Sequence, residues 1–265
     1  MGPELSIVVP LRNESANVGP LVNRIVSALR HQPRAYEVVL VNDGSTDDTW
    51  EQMLGVAKAN LCVRNLRLVT NAGQSAALWT GLRASHGAII ATLDGDLQND
   101  PADLPAMLDL LKTCHMVCGV RAQRKDNLSR RFSSWVARGA RKTILRIDVR
   151  DSGCSLRVFH RAVLEVVPVF DGFHRFLPIL VQSAGAVVRQ VPVRHHARVA
   201  GRSHYGIWNR LGRGLVDLVM VGWFIRRRLK GGPYFQNTVA PACEAPVASA
   251  VAPGDSADSP GVFQT

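Results

Sequence analysis

LSIVVP at residues 5–10, answered by YEVVLV at residues 36–41, decides the fold. Each is a β-branched, predominantly apolar run of strand length, interrupted only by Ser6 in the first and Glu37 in the second. That is the pattern of a parallel strand covered on both faces, not the in-and-out alternation of a half-exposed one. Between them, apolar residues at positions 18–29 recur at helical spacing, so the chain opens strand, helix, strand. Working outward, residues 45–48 supply caps before a helix running through residue 59, and residues 66–69, 75–85 and 88–93 continue as strand, helix and strand. This alternation predicts an α/β fold: a doubly wound, mostly parallel sheet flanked by helices, with ligands beyond the carboxyl ends of its strands. Residues 101–112 read as a further helix, 116–120 as a short strand and 130–146 as a basic helix, after which the regular alternation loosens.

At 265 residues and 46% apolar composition the chain can bury one substantial core. A formal net charge of +11 calls for an acidic partner. The charge is uneven: residues 121–146 carry nine Lys or Arg against Asp126, and residues 189–230 carry ten against Asp217. The five cysteines (Cys62, Cys114, Cys118, Cys154, Cys243) show no metal-binding spacing and fit free thiols in a reducing cytoplasm. No apolar run is long enough to span a bilayer; the best, residues 215–225, contains Asp217 and stops at Arg226. The start lacks the basic lead-in of a targeting segment. A Pro-, Ala- and Ser-rich stretch at 231–265 has little to pack and is expected to be a disordered tail. The expected organisation is thus a catalytic domain at 1–204, an amphipathic membrane-associating segment at 205–230, and the tail.

Three stretches concentrate chemistry at predicted strand ends. Asn42-Asp43-Gly44-Ser45 sets a carboxylate and a turn glycine over a helix start, where a carboxylate can accept hydrogen bonds from a base or ribose, although a plain capping turn reads the same way. Pro10-Leu11-Arg12-Asn13-Glu14 closes the first strand with a second carboxylate. Asp94-Gly95-Asp96-Leu97-Gln98 follows the strand at 88–93, and the glycine permits a turn that brings both aspartates towards one hard cation. Mg²⁺ or Mn²⁺ held there would grip a diphosphate and neutralise it as it leaves.

IVVPLRNE (residues 7–14), VNDGSTDDT (41–49) and DGDLQNDP (94–101), in that order and spacing, resemble family 2 glycosyltransferases of the GT-A fold. The nearest pattern is the dolichyl-phosphate mannose synthase and polyprenyl-phosphate glycosyltransferase branch. The resemblance continues through Val120-Arg121, DSGCSLR (151–157) and GRSHY (201–205), and so covers about residues 5–230. It implies that Pro10, Arg12, Glu14, Val41 and Asp43 line the base and ribose pocket. Asp94, Asp96 and Gln98 would hold the metal, with Leu93 and Gly95 touching the nucleotide and Asp96 at most assisting catalysis. Arg121 matches the family arginine that meets phosphate. Arg130 and Ser134, four apart on one predicted helix face, could clamp an acceptor phosphate. Arg198, Ser203 and His204 match a late loop that closes over the donor diphosphate, and Asp151 and Arg157 resemble a DxxCGFR signature near the sugar. Arg12 stands where the family usually has an aromatic, Asn42 replaces an Asp, His204 a common Lys and Ser155 a Gly. These departures leave the donor sugar and the choice of UDP or GDP open, as are prenyl length and oligomeric state.

What the resemblance implies is a metal-dependent, inverting transfer from a nucleotide-sugar donor to a polyprenyl phosphate. The acceptor oxygen is already anionic, so the protein must mainly overcome repulsion between two anions and align them. Residues 205–230 interleave Trp208, Trp223 and Phe224 with Arg210, Arg213 and Arg226 to Arg228, the mixture suited to an anionic headgroup boundary. Peripheral attachment to the cytoplasmic face of a membrane is therefore expected. A non-lipid acceptor is the alternative within the same family. A nucleic-acid-binding reading of the basic charge leaves the ordered carboxylates unexplained, so nucleic acid is not an expected partner. An NAD-dependent Rossmann enzyme is disfavoured because no GxGxxG follows the first strand.

Overall fold

The computed structural model describes residues 2–121, 147, 149, 151–197 and 207–228. Along the chain run β1 (Leu5–Leu11), α1 (Ser15–Leu29), β2 (Tyr36–Asp43), α2 (Thr49–Ala59), β3 (Val63–Leu68), α3 (Gln74–Ala84), β4 (Ile89–Thr92), α4 (Leu104–Leu110) and β5 (Met116–Arg121). Then follow β6 (Arg157–His160), α5 (Phe173–Ser183), β7 (Val188–Val193) and α6 (Ile207–Arg227), with 3-10 turns at Pro101–Asp103, Leu111–Thr113 and Arg161–Val166.

The strands form one seven-stranded sheet in the order β3-β2-β1-β4-β6-β5-β7. Its six pairings, four parallel and two antiparallel, follow a simple scheme. β1 lies parallel to β2 and β4, β2 to β3, and β5 to β7, while β6 runs against both of its neighbours, β4 and β5. Successive residues of the opening strands serve opposite faces, as the pleat requires. Ile7, Val9, Val38 and Leu40 join α1, α2 and α4 residues such as Leu21, Ile25, Met53 and Met107 in one core. Val8, Val39 and Val41 join Leu78 and Leu82 of α3, Phe173 and Leu177 of α5, and Leu218 and Val221 of α6 in the other. Both cores are built of apolar side chains because both faces of the parallel strands are covered, and the buried Ser6 hydroxyl donates to the Glu37 carboxylate at 2.7 Å.

The strand expected at 66–69 starts earlier, at Val63, and ends at Leu68; Val69 lies past it with 97% of its surface exposed. The single helix expected at 101–112 is divided into two 3-10 turns around α4, and Asp100 caps the first by accepting from the Ala102 N–H at 3.0 Å. The caps expected at 45–48 work through Asp47, whose Oδ1 accepts from the Thr49 N–H at 3.1 Å, whereas Asp48 makes no side-chain cap. The basic helix at 130–146 and the tail at 231–265 lie outside the described residues. α6 contributes Leu218 and Val221 to a core, so the segment expected to meet the membrane is also a packed part of the domain.

Candidate active site

Because β1, β2, β4 and β5 point the same way and β6 is reversed, the carboxyl ends of the first four and the start of β6 share one rim. The register fixes this: Pro10 stands beside Val41, and Thr92 and Cys118 both stand beside Arg157. Every described residue of the motifs singled out above therefore gathers at one edge of the sheet.

Two loops above β1 and β2 are zipped together. The Asn13 N–H donates to Ser45 Oγ at 3.0 Å, the Glu14 N–H to Thr49 Oγ1 at 2.9 Å, and Asn13 Oδ1 accepts from the Thr46 N–H at 2.9 Å. Asn13 carries a left-handed backbone, φ 53°, to make this turn. Pro10 and Glu14 are half-buried and Arg12 is exposed, while Val41 is fully buried in the second core and underlies the rim without facing it. Asp43 is buried, and its carboxylate clasps the loop before α3: Oδ1 accepts from the Ala72 N–H at 2.8 Å and Oδ2 from the Gly73 N–H at 3.1 Å. Gly44 has φ +57°, and a Cβ there would stand 2.3 Å from the Asn71 nitrogen, so only glycine lets that loop pass so close. Asn42 places Oδ1 on the Ser45 N–H, while its buried Nδ2 has no partner among the described residues.

The aspartate turn follows β4. Leu93 and Gly95 are buried, Gly95 against Leu11, and Leu97 adopts φ 60° to bend the chain. Asp96 is buried and its Oδ1 accepts from the Gln98 N–H at 3.2 Å. Asp94 is half-buried and its Oδ1 accepts from Gln74 Nε2 at 2.9 Å. Burial first, and then the like charge of Asp96, push the Asp94 carboxyl above the ordinary aspartate value. A carboxylate whose ionisation is opposed by the charge of its neighbour is a site that a hard cation suits. Mg²⁺ and Mn²⁺ commonly take one or two protein carboxylates, several waters and phosphate oxygens. Among the described residues no group of three or more His, Cys, Asp or Glu side chains that could hold a metal ion forms. The turn is braced from outside by the His196 N–H, which donates to the Gln98 carbonyl at 2.8 Å, and by a bridge between Asn99 and His195. Arg198, Ser203 and His204, with Arg130 and Ser134, lie outside the described residues.

On the far side of the rim, Arg121 and Asp151 meet each other. Arg121 Nε reaches Asp151 Oδ2 at 2.7 Å and Nη2 reaches Oδ1 at 2.8 Å. The hydrogen-bonded carboxylate raises the Arg121 pKa and keeps it cationic. Arg157 is buried, with Nη2 on the Ser152 carbonyl at 2.9 Å and Nη1 on the His174 carbonyl. That carbonyl is available because Pro178, four residues on in α5, has no N–H to occupy it. Thr92 Oγ1 holds the Ser155 carbonyl at 2.8 Å and Asn99 Nδ2 holds Ser155 Oγ at 2.7 Å, tying the 151–157 segment to the aspartate turn.

Sequence reasoning missed Gln74, Ser75, Asp171 and His174. Ser75 Oγ donates to Asp171 Oδ1 at 3.0 Å, accepts from the Gly172 N–H at 2.8 Å and contacts His174 Nδ1 at 3.0 Å. Burial, followed by the charge of Arg157, lowers the His174 pKa to about 3, so the ring is neutral. A serine at a helix start reads as an ordinary cap, and nothing local marks partners almost a hundred residues away.

A sheet of this order with one reversed strand, and a two-aspartate turn on its rim beside acid-bearing loops, defines a glycosyltransferase of GT-A architecture. Solved structures share the fold. One is glucosyl-3-phosphoglycerate synthase from Mycobacterium tuberculosis in complex with Mn²⁺, UDP and phosphoglyceric acid, with a TM-score of 0.64 at 20% identity over 87% of this chain and 81% of that one. Another is the mannosyltransferase PcManGT from Pyrobaculum calidifontis in complex with GDP-Man and Mn²⁺, with a TM-score of 0.61 at 23% identity over 90% and 68% of the two chains.

The chain belongs to Glycosyl transferase family 2, whose profile matches residues 6–167. It is 40% identical to the dodecaprenyl-phosphate galacturonate synthase of Rhizobium johnstonii over 88% of this chain and 70% of that protein. It is 34% identical to the undecaprenyl-phosphate 4-deoxy-4-formamido-L-arabinose transferase of Pseudomonas paraeruginosa over 81% of this chain and 64% of that protein. The chain thus spans about two thirds of the length of these curated relatives. It is an enzyme, a glycosyltransferase, and its relatives are polyprenyl-phosphate sugar transferases.

Proposed function

We propose that the protein transfers a sugar from a nucleotide-sugar to a polyprenyl phosphate, with inversion at the anomeric carbon and with Mg²⁺ or Mn²⁺ at Asp94 and Asp96. The observation that carries this reading is the aspartate pair on the same rim as Asp43 and the Arg121–Asp151 pair, in a chain whose curated relatives are named for polyprenyl-phosphate products. When bound, the cation would neutralise the donor diphosphate and make it a better leaving group.

The chain's own residues orient and screen. Asp94 and Asp96 present oxygen ligands, and the zipped loops at 12–15 and 44–49 wall the base pocket together with Pro10 and Glu14. Arg121 holds positive charge near the incoming phosphate, with Arg130 and Ser134 as the acceptor clamp and Arg198, Ser203 and His204 closing over the donor. An anionic phosphate oxygen needs no strong base, so alignment and charge neutralisation are the main demands.

The acceptor also explains the outer face of α6. Val216, Val219, Met220 and Trp223 are each more than half exposed and recur at positions i, i+3, i+4 and i+7, and Arg226 and Arg227 are exposed at the end of this stripe. An apolar stripe ending in arginines suits the surface of an anionic membrane, where a polyprenyl phosphate resides. Among the described residues no helix is long and apolar enough to cross a bilayer, so the contact is peripheral in this proposal and lies on the cytoplasmic face.

The test is to incubate purified protein with Mn²⁺ or Mg²⁺, undecaprenyl phosphate and a panel of nucleotide sugars headed by nucleotide-linked galacturonate, then analyse the lipid fraction by mass spectrometry. A metal-dependent glycosylated lipid is expected, reduced on the order of 100-fold or more in Asp94→Asn and Asp96→Asn. Sugar appearing only on water-soluble acceptors would overturn the reading.

A further inference from the structure

Gln74 opens α3, belongs to none of the carboxylate motifs, and places its side-chain amide on the aspartate turn. Nε2 donates to Asp94 Oδ1 at 2.9 Å across 20 residues of sequence. Its neighbours hold it there. The N–H groups of Ala72 and Gly73 are clasped by Asp43, and Ser75 is fastened to Asp171, Gly172 and His174 at the start of α5.

The valences at Ser75 close. Its one hydroxyl hydrogen goes to Asp171, and its two acceptor positions take the Gly172 N–H and His174, which as a neutral ring then carries its proton on Nδ1. Four consecutive residues, Ala72 to Ser75, are therefore anchored to the rim of β2, to the turn after β4 and to α5.

We propose that Gln74 is a positioning residue for the divalent cation, setting the carboxylate of Asp94 in its ligating orientation. This rests on the metal reading of Asp94 and Asp96. A carboxylate can rotate about its last bond and offer either oxygen. An N–H fixed on Oδ1 restrains that rotation, together with a hydrogen bond from the Ser155 side chain, and would hold the carboxylate in one orientation towards a cation. A carboxylate only accepts, so the donor end of the amide must be the end that faces it. A neutral donor does this without placing a competing positive charge in the site, as lysine would. Partners of this kind orient metal ligands throughout metalloproteins.

The experiment uses the full chain and Mn²⁺ alone, with free metal counted by electron paramagnetic resonance. It compares the wild-type protein, Asp94→Asn, and Gln74→Met, which keeps the length of the side chain and removes the amide. Binding of UDP and GDP without metal and the melting temperature are measured on the same samples. Gln74→Met is expected to weaken Mn²⁺ binding roughly 10- to 100-fold, while metal-free nucleotide binding and melting temperature stay at wild-type values. Gln74→Lys is expected to bind Mn²⁺ no better than Gln74→Met, although it restores a donor. Unchanged Mn²⁺ affinity in Gln74→Met, with Asp94→Asn impaired, overturns the inference and leaves the metal reading standing. A parallel fall in metal-free nucleotide binding or in melting temperature overturns it in favour of a purely structural role. If the wild-type protein and Asp94→Asn bind Mn²⁺ equally, both readings fall.

Discussion

Arg121 and Asp151 face each other through two parallel hydrogen bonds, Nε to Oδ2 at 2.7 Å and Nη2 to Oδ1 at 2.8 Å, joining the end of β5 to the segment before β6. Both side chains are mostly shielded, with 17% and 9% of their surfaces exposed. A planar fork matched to a carboxylate is specific to arginine. Asp151→Asn is therefore expected to lower stability by roughly 1.5–3 kcal/mol, the range for a hydrogen bond to a charged group. Arg121→Lys should lose most of the same amount despite keeping its charge. Denaturant unfolding of both single variants and the double variant checks this, and additive losses would show that the pair does not couple.

Gly44 faces a harder limit than Gly95. At Gly44 an added Cβ would meet the Asn71 nitrogen at 2.3 Å with the backbone at φ +57°, whereas at Gly95 it would meet a methyl of Leu11 at 2.2 Å. A buried leucine can shift its methyl, but the Asn71 backbone is tied through Ala72 and Gly73 to Asp43. Gly44→Ala is expected to cost about 2 kcal/mol or more, combining left-handed strain with the displaced loop. It should also weaken nucleotide binding more than Gly95→Ala does. Thermal unfolding and a UDP titration decide it; equal losses for the two variants would refute the ranking.

How far the sequence discloses these features depends on where each residue's partner lies. Residues 5–10 and 36–41 declare themselves because a strand covered on both faces is apolar at nearly every position, and the two buried exceptions, Ser6 and Glu37, hydrogen-bond each other at 2.7 Å. β6 is four residues long, and its direction follows only from pairing with Ile89–Thr92 and Met116–Cys118. α5 hides behind Pro178, which usually signals a helix end but here frees a carbonyl for Arg157. The aspartate turn is legible because its two carboxylates lie two residues apart in sequence, with a turn glycine between them. Gln74 is not, since a neutral amide gains its meaning only from Asp94 across the rim.

His174 predicts a pH dependence of stability. Its folded-state pKa is lowered from 6.5 to about 3, chiefly by burial and then by Arg157 and Arg175, with Asp171 opposing. The unfolded chain therefore binds a proton at higher pH than the folded one. The contribution is complete above about pH 6.5 and diminishes as pH falls towards 3, at most about 1.4 kcal/mol per pH unit, the slope for one proton. His174→Asn, which keeps a donor for Ser75, should flatten the decline between pH 6 and 4. Melting temperatures of both proteins across that interval test it, and parallel curves would rule His174 out.

α6 separates its two faces cleanly enough to test membrane contact without unfolding the domain. Leu218 and Val221 are buried, Phe224 packs against the same core, and Arg228 Nη2 donates to the Val166 carbonyl at 2.7 Å. Substituting these would destabilise the protein and say nothing about lipid. Trp223, Val219, Arg226 and Arg227 point outward, so Trp223→Ser and the double substitution of Arg226 and Arg227 by Gln should leave the melting temperature near wild type. The apolar change should reduce binding to anionic and neutral vesicles alike, by a factor reflecting about 1.5–3 kcal/mol for a large apolar side chain. The charge change should reduce binding only to anionic vesicles, by about 1 kcal/mol per arginine, and this loss should vanish at high salt. Co-sedimentation with both vesicle types at two ionic strengths separates the contributions. Wild-type binding by both variants would mean that this face of α6 does not touch the membrane, and the approach to the lipid acceptor would have to be sought on another surface.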